Sequence, residues 1–273
     1  MGSIRRYCFR LFNSTTERKV SRSQLKAAKN EDHEQYLALA ANYADLAQAY
    51  YGATVSEPAE IRIARVEQVF LGLWQHLRYA ERLSDFEFML ASALIESAPE
   101  DGPIQSPEPL VTKLRLLDAR TRFAFIAYEF EKWPIRWVTL VLRTKLNALH
   151  RLISEARCEL CGVSWESLSD EERDCLVDVS VSLEKSPNLK FNKALSHRVS
   201  LYPRVSEIKS LWLELRPELV EVRHRYIPSQ DERDQLLKNI FNVILESTME
   251  TPPFVDRMVN TVHFSRHRKI DVS

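Results

Sequence analysis

Apolar residues recur at three- and four-residue steps along most of the chain, the spacing of one helical face. From Asp32 to about Tyr51, such a face holds Tyr36, Leu39, Ala40, Tyr43, Leu46, Ala47 and Tyr50, and Gly52 stands where helices commonly end. Ser56-Glu57-Pro58 opens a second segment reaching about Leu77, with Ile63, Val66, Val69, Phe70, Leu73, Trp74 and Leu77 inward. A third begins at Ser84, where Glu87 completes a capping-box pattern, and continues to about Ser97. Ala98 to Pro109 is rich in proline and acid and reads as an exposed linker.

Three amphipathic segments then lie end to end. The first runs from Leu117 to about Glu131, and Lys132-Trp133-Pro134 breaks it, because proline disfavours helix in the residue before it. The second, Ile135 to Leu142, has about two turns. The third opens near Lys145 and reaches about Cys161. Its apolar face holds Leu146, Leu149, Ile153, Ala156 and Leu160, and the other side carries Asn147, His150, Arg151, Ser154 and Arg157. A short helix, a tight turn and a longer helix with a basic outer face is the outline of a helix-turn-helix.

Beyond Val163 the helical pattern persists. Ser169 with Glu172 and Ser229 with Glu232 are capping boxes, the second opening the regular face Leu236, Leu237, Ile240, Phe241, Ile244 and Leu245. Val177, Val179, Val181 and Leu183 alternate as a strand would, but the cap ahead of them favours helix. Val205, Ile208, Leu211, Trp212 and Leu215 make a further helix, ended or kinked at Pro217. The fold class expected is all-α: two small helical bundles joined by a linker, the second a helix-turn-helix, with a helical C-terminal extension. The boundaries expected are a basic tail over 1–30, a bundle over 31–97, the linker over 98–112, the helix-turn-helix over 113–163 and the extension over 164–273.

Composition narrows the class. Of 273 residues 45% are hydrophobic, ample for a core, and only 5 are glycine, which favours helices over sandwiches. Formal net charge is zero, so any attraction to nucleic acid must be local. The basic and apolar first residues lack the pattern of a secretory signal, no apolar run approaches a membrane span, and the irregular cysteines suit reduced thiols in a cytoplasm.

Candidate chemistry is thin. Cys158-x-x-Cys161, with Cys175 and His150 or His197, has part of a zinc-ligand spacing but no second close pair, and ordinary thiols are the simpler reading. His76, His224, His263 and His267 lack a paired acid or nucleophile. No phosphate loop, dinucleotide fingerprint, zincin helix or nucleophile elbow is present. Neither enzyme activity nor a cofactor or metal is expected.

Two blocks share motifs with one family. Leu117, Arg120 and Arg122 match an L-x-x-R-x-R opening, Phe123, Phe125 and Ile126 a following core, Glu129 or Glu131 a helix-end acid, and Ala156-Arg157 an A-R pair. Val66-Glu67-Gln68-Val69-Phe70-Leu71-Gly72-Leu73-Trp74 matches a V-Q-E-V-F-L-x-L-W helix, and Asp85 to Leu90 stands where an S-F-R-x-W-L helix follows. These blocks resemble the two domains of bacterial RNA polymerase sigma factors of the extracytoplasmic-function type, over residues 32–162. Departures concentrate on the DNA-facing positions: Arg143 replaces the turn glycine, and Glu87, Ser92 and Glu96 replace polar or basic residues of the promoter-reading helix.

The resemblance implies a cytoplasmic transcription initiation protein whose partners are core RNA polymerase, promoter DNA and an anti-sigma or other regulatory protein, with no membrane. It implies DNA contacts from Arg143, Lys145, Asn147, His150, Arg151, Ser154 and Arg157. It implies polymerase docking through Glu67, Gln68, Phe70, Leu71 and Trp74. The alternative is a degenerate sigma-like scaffold that binds polymerase or a regulator without opening promoters.

Overall fold

The computed structural model describes residues 22–30, 32–54, 58–97, 109–184, 189–226 and 228–246. Every regular element among them is helical, so the protein is all-α. The expected linker over 98–108, most of the basic tail and the C-terminal 247–273 lie outside the described residues.

The chain divides into two compact units. The first contains α1 (Arg22–Lys29), α2 (His33–Ala41), α3 (Ala44–Thr54) as far as Tyr51, α4 (Ala59–His76), α5 (Leu83–Glu96) and α13 (Gln230–Glu246). The second contains α6 (Pro109–Leu116), α7 (Ala119–Phe125), α8 (Ile135–Val141), α9 (Leu146–Leu160), α10 (Asp170–Glu184), α11 (Leu189–Leu201) and α12 (Pro203–Tyr226).

This division corrects the expected boundary near 163. The helices α10 and α12 pack against α9, and α13 packs against α2 and α4, so the C-terminal region is divided between the two units. The expected tail is corrected as well: α1 forms within it because Leu25 and Ala28 are buried. The expected linker ends early, since α6 begins at Pro109 and buries Leu110, Val111 and Leu114.

Several local rules hold. Ser169 N donates to Glu172 Oε2 at 2.9 Å and Glu172 N to Ser169 Oγ at 3.2 Å, the reciprocal pair that starts α10. The same exchange joins Ser229 and Glu232 ahead of α13, at 2.6 and 3.3 Å. The alternating valines after Ser169 lie within α10, a helix.

Others give way to packing. Gly52 lies inside α3, where Tyr50, Tyr51 and Ala53 are all buried and carry the helix past it. Asp85, not Glu87, caps α5 by accepting from Arg82 N at 2.9 Å. Glu87 instead turns inward, 5% exposed, and accepts from Tyr43 Oη at 2.6 Å. The helix α12 runs through Pro217 rather than ending there.

Candidate functional site

The segment singled out as a DNA reader forms from the local rules expected of it. Asp118 caps α7 by accepting from Arg120 N at 2.9 Å and Thr121 N at 3.1 Å. The α7 axis continues as a π-helical turn, Ile126–Phe130, and the chain breaks at Lys132-Trp133-Pro134. Pro134 precedes α8, and a short turn leads to α9. In that turn Arg143 adopts φ 47°, a left-handed conformation that glycine takes at lower cost.

The arginines of the L-x-x-R-x-R block hold this frame. Arg120 Nη2 donates to Leu142 O at 2.7 Å, meeting a carbonyl at the end of α8. Arg122, itself buried, donates to Leu117 O at 3.0 Å. Lys113 of α6 donates to Leu160 O at 2.7 Å and closes the C-terminal end of α9. Leu149, Ile153, Ala156 and Leu160 are fully buried, as the apolar face requires.

The opposite side of α9 departs from expectation. His150 is 2% exposed, Ser154 3% and Arg157 7%. The cover over Ser154 and Arg157 comes from α10 and α12: Ser154 Oγ donates to Leu176 O at 3.4 Å, and the Arg157 guanidinium lies 5.1 Å from the centre of the Trp212 ring. A helix wedged between two partners has no free flank on that side. The expectation that His150, Ser154 and Arg157 face solvent is therefore corrected, and a side chain so enclosed cannot reach a base edge without α10 and α12 moving.

Arg157 is the hub of this buried side. Its Nη1 donates to Ser180 Oγ at 2.8 Å and its Nη2 to Glu129 Oε1 on the π-helical turn. Both charged side chains are nearly fully buried, so each neutralises the other where water cannot. Nearby, burial pushes the thiols of Cys158 and Cys175 up, and that of Cys161 up to about 11. No grouping of metal-ligating side chains occurs among the described residues, and Cys158, Cys161 and Cys175 are free thiols.

The remaining predicted DNA contacts sit at the N-terminal end of α9. Arg143, Lys145, Asn147 and Arg151 are all exposed, beside the exposed apolar Leu140 and Leu146. Arg151 also lies 5.8 Å from the centre of the Trp165 ring. Glu155 shares the exposed side, and its carboxyl is held above the usual range by partial burial and by Asp118, Glu159 and Glu166, with Arg151 opposing. The open surface of α9 thus carries acid as well as base.

The second predicted site lies on α4. Phe70 is 0% exposed, which corrects its docking role: it is core, and Tyr36 Oη donates to its carbonyl. Glu67 accepts from Asn239 of α13 at 3.1 Å. Trp74 packs on the Tyr36 ring at 4.9 Å and the His33 ring at 5.2 Å. Gln68 is exposed and Leu71 and Trp74 are half-buried, so a reduced strip of the expected surface stays open. Sequence pattern missed the covering elements, Ser180, Trp212 and Asn239, because each lies far along the chain from the helix it covers.

No family model, no curated protein and no solved structure matches the chain. No helix among the described residues is long and apolar enough to cross a membrane.

Proposed function

We propose that the protein is a transcription-regulatory protein on a sigma-like scaffold. It binds core RNA polymerase or another regulator through α4 and does not read promoters with the full face of α9. The observation that carries this reading is the burial of His150, Ser154 and Arg157, the last two under α10 and α12. Base recognition needs donors and acceptors free at a convex helix face, whereas His150 is buried and Ser154 and Arg157 are engaged inside the unit. The inward turn of Glu87 supports the same conclusion, since α5 offers no corresponding side chain to DNA. Gel filtration with purified core polymerase, paired with run-off transcription, tests the reading. Co-elution without specific initiation is the expected result, and specific initiation contradicts it.

A second reading keeps promoter contact. The exposed Arg143, Lys145, Asn147 and Arg151 lie at the N-terminal end of α9, the part of a recognition helix that usually meets base edges. In that case the protein is a sigma-like initiation factor with a contact surface shorter than the sequence implies. Salt-dependent binding to duplex DNA, lost on Arg143→Ala with Arg151→Ala, distinguishes it.

A further inference from the structure

Between the π-helical turn and α12 the second unit has a cleft of about 370 Å³. That size falls at the small end of the range for pockets that enclose small organic ligands. Lys132, Arg157 and Arg216 line it against a single carboxylate, Glu129. Glu129 is already engaged by Arg157 and lies 3.5 Å from Lys132. Arg216 is exposed and pairs with no carboxylate among the described residues. Arg157 has 8% of its side chain exposed, and its buried Nε–H has no acceptor. The cleft is therefore short of negative charge.

Its lining is mixed, about as polar as apolar, with aromatic residues among the charged ones. Trp133 and Trp212 line it, both largely buried and the second with the Arg157 guanidinium against its ring, and Ile135 and Pro134 add apolar surface. Two backbone features converge at the same place. Glu129 stands on a π-helical turn, and Lys132 adopts φ 51°, a conformation that costs a non-glycine residue energy. Both features recur at ligand sites, where surrounding structure holds them. Inorganic anions gain little from such walls. Nucleic acid needs a row of phosphate contacts, whereas this half-open cleft offers one compact cationic rim.

We propose that this cleft binds a small organic anion with a flat apolar body, a planar aromatic carboxylate. Its ring lies against the tryptophans, and its carboxylate meets Lys132 and Arg216 at the rim above Arg157. The inference goes beyond the scaffold's role with polymerase and stands or falls apart from it.

The test is calorimetric titration of the full chain with 2-naphthoate and with its neutral counterpart 2-naphthylmethanol. Lys132 and Arg216 are exposed, so Lys132→Ala combined with Arg216→Ala leaves the fold intact; Lys238→Ala on α13 is the control. Saturable binding of 2-naphthoate is expected. It weakens about tenfold or more in the double variant, the order that charge-assisted contacts contribute, and is unchanged in the control. The neutral compound binds correspondingly more weakly. Absence of saturable binding, an unaltered affinity in the double variant, or equal affinity for the neutral compound overturns the proposal.

Discussion

Arg157 of α9 donates to Glu129 on the π-helical turn and, at 2.8 Å, to Ser180 of α10. One guanidinium thus ties three elements of the second unit together at a nearly buried position. Removing one partner of such a pair leaves the other charged and buried. Arg157→Ala is expected to lower the unfolding free energy by about 3–5 kcal/mol, read from the urea midpoint at constant slope. Arg157→Met combined with Glu129→Leu is expected to cost much less than the sum of the single changes, because no charge is stranded.

Arg143 occupies a left-handed position in the turn between α8 and α9. Glycine relieves a strain of order 1–3 kcal/mol but adds freedom to the unfolded chain. Arg143→Gly is expected to leave stability unchanged or raise it by about 1 kcal/mol, measured by thermal unfolding. A loss of more than about that amount contradicts the strained assignment.

Glu155 carries a carboxyl whose proton is held more tightly in the folded protein than in the unfolded chain, chiefly through burial. The stabilising contribution of that proton is present at low pH and is lost as pH rises through the raised value. Near neutral pH the charged group is therefore a net penalty. Glu155→Gln is expected to raise the midpoint of thermal unfolding at neutral pH. The advantage is expected to vanish on acidification below the ordinary carboxylate range.

Ser229 accepts from Glu232 N at the start of α13, the helix whose Asn239 engages Glu67 of α4. Ser229→Ala removes one half of the capping box and is expected to cost about 1 kcal/mol. Restoring the side chain as Asp is expected to recover most of it, since Asp caps as well as Ser.

What could be read from the chain follows from how local each feature is. The boxes Ser169/Glu172 and Ser229/Glu232 involve residues three apart, and the structure contains both. The inward face Leu149, Ile153, Ala156 and Leu160 is a matter of spacing, and it too is present. His150, Ser154 and Arg157 were misplaced because polarity on a helix indicates what a side chain needs, not who supplies it. Water would have served Arg157; instead Glu129, Ser180 and Trp212 do, from three other segments. Phe70 is inward by its spacing, and the structure buries it; only the docking role that the motif implies fails, because a side chain in the core is closed to a partner. The same locality explains the misjudged boundary at 163, since nothing in α13 announces that it packs on α2 and α4.

The flank of α9 bearing Ser154 is enclosed by the protein itself. Thiol labelling of Ser154→Cys against Asn147→Cys, each in a Cys8→Ser background, tests it most directly. Cys158 and Cys175 are buried and Cys161 is half-buried, so the chain carrying Cys8→Ser alone supplies the background rate. Rapid modification is expected at 147 and, at 154, a rate no faster than that of Cys158. Equal, rapid modification at both positions would show that flank open to solvent and free to meet DNA.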